Sequence, residues 1–346
     1  MQRARILVIL VILTVALFST CSAPRPTAEA LGLGYDPNPE GTQAFLSELD
    51  QPLFRDAGRE VIEKSRGIDT FLYRSMFRAH QARYNKPWVP GNQGAVGSCV
   101  GWGFSQAAYC SLCVAWSEGE VPEPPLLTSP TSCYGGSRVE ARGKPEGTGG
   151  YRDGSYGGAA AKWLSQWGLI FRDNLGGHDL RKYSVSRCKE WGHWGNGGEG
   201  DEGKLDATAK RHPALHVALV TTFDEAAAAI ESGFCVAICS GVGFNRTRDS
   251  EGWCSRSGSW AHCMYAAAVR YKKNGSSEDG LLIINSWGDY VSGGKFPEDQ
   301  PDGSFWAKRD VVDSMLGTWR DSFAIGSVQG FPYRDLHHGD WLDANQ

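Results

Sequence analysis

Asn92-Gln93-Gly94-Ala95-Val96-Gly97-Ser98-Cys99-Val100-Gly101-Trp102-Gly103-Phe104 sets a Gln six residues ahead of a Cys, with Gly-rich backbone between them and an apolar run after. The run predicts a buried helix from Cys99 to about Trp116. A thiol on the first residue of a helix sits among N–H groups that lack intrahelical partners, at the positive end of the dipole, and this favours the thiolate. The Gln93 amide can donate a hydrogen bond where an oxyanion would form beside that sulfur.

Two later segments supply partners for the thiol. Trp260-Ala261-His262-Cys263-Met264-Tyr265-Ala266 reads as a strand carrying a His, and Ile284-Asn285-Ser286-Trp287-Gly288 brings an Asn. A Cys nucleophile needs a neighbouring base that keeps it ionised and later protonates the leaving amine, which is the role open to His262. The Asn285 side-chain oxygen can accept the other imidazole N–H and so orient the ring. Gln93, Cys99, His262 and Asn285, in that order and with these neighbours, resemble the nucleophile segment, histidine strand and Asn-Ser-Trp-Gly motif of papain-like cysteine peptidases. The resemblance implies an α+β fold of two lobes, a helical lobe carrying the Cys and a β-barrel-like lobe carrying the His, with the substrate in the cleft between. It also implies that Trp287 shields the His262–Asn285 bond from water.

Several positions depart from the family pattern. Val96 and Val100 stand where the family has a second Cys and an aromatic, and Trp102 stands where Phe is common. Asp153-Gly154-Ser155-Tyr156-Gly157-Gly158 resembles the family's Gly-Cys-x-Gly-Gly segment with Ser155 in place of the Cys. On that match Gly157 and Gly158 present bare backbone to an extended peptide. The resemblance also places Ala160, Ala237 and Cys263 near the second substrate pocket. None is charged, so that pocket is expected to prefer apolar side chains.

Outside these motifs the chain reads as an exported enzyme. Arg3 and Arg5 precede an apolar run from Ile6 to Phe18, too short to span a membrane and right for a signal-peptide core within residues 1–30. The alternatives are an uncleaved N-terminal anchor and a lipid-anchored Cys21. Without residues 1–30, which hold Arg3, Arg5, Arg25 and Glu29, the formal charge falls from -4 to -6. That excludes a basic footprint for nucleic acid and a polybasic membrane patch. Ten cysteines with a signal segment favour some disulfides, whose pairing the sequence leaves open. Cys235 and Cys239, roughly 13 Å apart along a strand, cannot bridge each other. Cys110-Ser111-Leu112-Cys113, in mid-helix, reads as a pair of small core residues in preference to a metal or redox site.

Residues 31–87 read as an N-terminal extension packed on the enzyme, with a short inhibitory pro-segment as the alternative. The catalytic domain then spans 88–346, with a helical lobe over about 88–205 and a β lobe over about 206–330. Thr128-Ser129-Pro130 is a cap followed by Pro at the first helical position, and Thr222-Phe223-Asp224-Glu225 is a capping box. Strands are expected at 217–220, 234–239, 261–271, 281–286, 304–308 and 323–326. The function expected is hydrolysis of peptide bonds through a thiol acyl-enzyme, acting on a peptide or protein and using no cofactor or metal. The alternatives are an inactive binding protein and an acyltransferase or peptide ligase on the same scaffold.

Overall fold

Asn38 starts the first helix by accepting the Gly41 N–H on its side chain (3.1 Å), with Pro39 fixing the first helical φ. A computed structural model describes residues 33–57, 59–65, 67–143 and 153–326 of the chain, so the expected signal segment lies outside the described residues. The N-terminal extension contains α1 (Pro39–Leu46), α2 (Phe54–Ala57), α3 (Arg59–Lys64), β1 (Thr70–Phe71) and α4 (Tyr73–Tyr84). The last helix stops at Asn85, which adopts the left-handed conformation that Asn tolerates.

The helical half follows. In α5 (Cys99–Ser117) every residue from Cys99 to Ala115 is buried. A helix covered on all sides is a core helix, which is why Cys110 and Cys113 pack as small apolar residues. Next come α6 (Pro130–Gly135), capped by Ser129 Oγ on the Ser132 N–H (3.2 Å), and α7 (Gly157–Gln166). A two-strand hairpin, β2 (Asn174–Leu175) with β3 (His178–Asp179), leads to α8 (Val185–Trp194) and α9 (Asp206–Ala209).

The sheet half opens with β4 (Val217–Val220) and α10 (Phe223–Glu231). Thr222 Oγ1 accepts the Glu225 N–H as the capping box requires, but the Glu225 carboxylate turns to the Thr221 N–H (2.7 Å). The remaining elements are β5 (Val236–Phe244), β6 (Thr247–Arg248), β7 (Arg256–Arg270), β8 (Gly280–Ile284), β9 (Ser292–Gly293), β10 (Ser304–Lys308), α11 (Arg309–Trp319) and β11 (Ser322–Ile325). The main sheet runs β10-β8-β7-β5-β11-β4, antiparallel throughout, and β1 adds to β7.

This arrangement fixes where a site can lie. Helix α5 packs across β7, the long central strand, so the first residue of the helix faces the outer end of the strand that carries His262. Residues 70–84 are built into the same core. Tyr73 and Met76 of α4 are fully buried, and Thr70 and Phe71 pair with Val269 and Ala268. No helix among the described residues is long and apolar enough to cross a membrane.

Candidate active site

Beyond Ser240↔His262 the pairing of β5 with β7 shifts register at a bulge, and His262 occupies the last regular position. Its Nε2 lies 2.7 Å from Asn285 Oδ1. That oxygen also accepts the Ser286 N–H (2.6 Å), so it faces two donors and the amide orientation is determined. The Trp287 ring lies over His262 with centroids 4.3 Å apart, and Trp260 and Tyr290 close around it. The imidazole is therefore dry. Burial pulls its pKa down to about 4, partly opposed by the Asn285 bond. Its Nδ1 is buried without a hydrogen-bond partner among the described residues.

Cys99 is the first residue of α5, as the sequence predicts, and is fully buried. Its burial works against the thiolate that the helix start favours. Burial first, and then the neighbouring Cys263 thiol, push the Cys99 pKa up, against the pull of backbone N–H groups of Cys263, Gly34 and Val100. Both shifts favour the neutral thiol and the neutral imidazole, and no hydrogen bond joins them.

Residues 33–36 run as a strip between Cys99, Ala261 and Ser155. The Gly34 N–H faces the Cys99 sulfur, and the Gly34 carbonyl accepts the Ser155 N–H (3.0 Å). Tyr35 N–H donates to the carbonyl of Ala261, the residue before His262 (3.2 Å), and Asp36 N–H to the Ser155 carbonyl (2.9 Å). Only glycine fits at 34, since a Cβ there would come within 1.9 Å of the Gly97 carbonyl oxygen. Asp36 is clamped by Arg142 at 2.5 Å.

Gln93 is fully buried. Its Oε1 accepts the Ser286 hydroxyl (2.7 Å), its Nε2 donates to the Val96 carbonyl (2.8 Å), and its backbone N–H donates to the Ser286 carbonyl (2.8 Å). Ser286 thus ties the Gln93 arm to the Asn285–His262 pair, a link that sequence reasoning missed although the motif contains the residue. Asp153, accepting from the Gly97 N–H (2.6 Å) and from the Tyr134 hydroxyl, holds the loop before Cys99 in the same way.

The residues expected at the substrate walls make contacts within the fold. The Gly157 and Gly158 N–H groups do not face the strip. Both donate to the buried Asp321 carboxylate (2.6 and 2.7 Å), which caps α7, and Ser155 makes the backbone pairing instead. Tyr35 fills a pocket beside Trp319 (edge-to-face, 6.4 Å), Cys239, Cys263 and Asp321. Ala160 and Ala237 are fully buried in the surrounding core. The pocket is therefore not purely apolar, because Asp321 lies at its floor. Burial raises the pKa of that carboxyl to about 6 against its hydrogen bonds from Thr42, Gly157 and Gly158. The sequence carried little signal for it, since a single Asp ahead of a short apolar strand is ordinary.

The nine cysteines among the described residues stand as free thiols. No group of three His, Cys, Asp or Glu side chains suited to a metal occurs among the described residues.

No protein-family model matches the sequence, and no curated protein matches it either. Solved structures do. Xylellain, a cysteine protease from Xylella fastidiosa, superposes with a TM-score of 0.52 at 16% identity, covering 86% of this chain and 97% of that one. The chain has the papain-like fold. Procathepsin B S9 from Trypanosoma congolense agrees, with a TM-score of 0.50 at 10% identity over 86% of this chain and 92% of that one. In this papain-like fold His262, Asn285 and Trp287 are in contact, and Ser286 links Gln93 to them.

Proposed function

We propose that the protein is a cysteine peptidase, exported on its signal segment and kept latent by residues 33–36. The observation that carries this reading is the His262 Nε2–Asn285 Oδ1 bond beneath Trp287. It occupies one imidazole nitrogen and leaves Nδ1 for the thiol that opens α5. With the strip gone, water and the helix N-terminus favour transfer of the thiol proton to His262. The Cys99 sulfur then attacks the scissile carbonyl carbon, and the oxyanion is held by the Cys99 N–H and the Gln93 amide. His262 gives its proton to the leaving amine, and water cleaves the thioester to release the acid and free thiol.

The strip lies across the cleft without being a substrate. It presents an N–H, not a carbonyl carbon, to the sulfur, and it pairs with Ser155 in the parallel sense. The pocket that Tyr35 leaves would take a large side chain with a hydrogen-bond donor at its tip, directed at Asp321.

An epoxide or vinyl-sulfone probe tests the reading. The chain beginning at Asn38 should be labelled at Cys99 and should cleave peptides, and the longer chain should react more slowly. A protein that labels in neither form is a papain-like binding protein. Transfer of the acyl group to an added amine in preference to water would mark a ligase.

A further inference from the structure

Cys239 on β5 and Cys263 on β7 stand directly opposite each other in the antiparallel register. Neither takes part in the chemistry proposed above. The kind of pair they make follows from the backbone. Cys239 N–H donates to Ser322 Oγ (3.1 Å), and its carbonyl accepts from the same hydroxyl (3.4 Å), so both groups point at β11. Two residues earlier Ala237 pairs with Phe323, and two before that the Cys235 carbonyl accepts the Ile325 N–H (3.3 Å). Backbone direction alternates along a strand, so toward β7 the Cys239–Cys263 pair is of the non-hydrogen-bonded kind. Such pairs hold their Cα atoms about 4.5 Å apart with side chains on one face. A disulfide needs Cα atoms roughly 4.4–6.8 Å apart. The two thiols face each other, which together with burial holds Cys239 well above the usual thiol range.

Cys263 also stands next to the nucleophile. Its sulfur packs on Gly103, where a Cβ would come within 2.7 Å of it, and Gly103 lies one helical turn from Cys99 on the same face of α5. We propose that Cys239 and Cys263 close into a cross-strand disulfide when the chain folds in a thiol-oxidising environment, and that this withdraws a thiol which would otherwise couple to Cys99. With glutathione disulfide as oxidant, one cysteine thiolate attacks it and releases the first glutathione. The second thiolate then attacks the mixed disulfide and releases another, so two protein thiols are oxidised as one glutathione disulfide is reduced. Both sulfurs are fully buried, so the exchange takes place before α5 covers the sheet.

The test needs no catalysis, so it stands apart from the peptidase reading. Full-length protein is folded in a mixture of reduced and oxidised glutathione, quenched in acid, alkylated, digested without reduction and mapped by mass spectrometry. The expected product links the peptides of Cys239 and Cys263 and carries alkylated Cys99. In Cys239→Ala the expected link moves to Cys99–Cys263, with loss of Cys99 alkylation. Wild type with Cys263 alkylated, or joined to any partner but Cys239, overturns the pairing; a bond only between Cys110 and Cys235, whose thiols also face each other, counts as that result. Full alkylation of Cys99 in the variant overturns the protective role.

Discussion

Two N-terminal segments, residues 33–36 and residues 70–84, pack on the same papain-like fold by different physics. The first is held across the cleft by three backbone hydrogen bonds, one pocketed Tyr and the Asp36–Arg142 pair. The second adds a strand to β7 and buries Tyr73, Met76 and Ala79 against α5. Backbone bonds to a strip trade closely against bonds to water, contributing about 0.5–1.5 kcal/mol each. A buried helix face removes apolar area from water at about 25 cal/mol per Å² and leaves cavities if taken away. On the proposed reading the first comes off, and the second belongs to the folded body.

The comparison can be broken most sharply at the group the strip covers. Cys99→Ala should abolish probe labelling and hydrolysis in the chain starting at Asn38 while the melting temperature holds, since a small apolar side chain suits the buried helix start. Labelling that persists at another Cys would remove the reason for the strip. On the other side of the contrast, Tyr73→Ala should cost about 3–5 kcal/mol in denaturant unfolding, as for other large buried aromatics. Tyr35→Ala should scarcely change stability yet speed labelling of the longer chain. Equal destabilisation by both would erase the distinction.

Once the strip is gone, Gln93 and Asn285 should separate. Gln93→Ala should lower kcat about 10²–10³-fold, roughly 2.7–4 kcal/mol, with little change in KM. It should leave the acidic limb of thiol alkylation in place, whereas Asn285→Ala should shift it. The opposite pattern across pH 4–9 (roughly the span of two coupled titrations) would exchange their roles.

Arg142→Ala should have the smallest effect, about 1 kcal/mol or less, read as a few-fold faster labelling, because Asp36 is half exposed.

The sequence by itself determined what depends on neighbours along the chain. The start of α5 at Cys99, the Ser129 and Thr222 caps, β4 at 217–220 and β10 at 304–308 follow from local spacing, capping chemistry and alternation. The types and order of the four proposed site residues are likewise written in short motifs. Only the tertiary structure decided which groups meet across long separations. Asp321 takes the Gly157 and Gly158 amides from 164 and 163 residues away, and Thr42 reaches it from 279 away. Gly34 over Cys99, Ser286 on Gln93 and Cys239 against Cys263 belong to the same class. A buried carboxylate must find donors and a cleft must be covered by whatever chain reaches it, and the positions of those partners are set by packing of the sheet on α5, not by any pattern along the sequence.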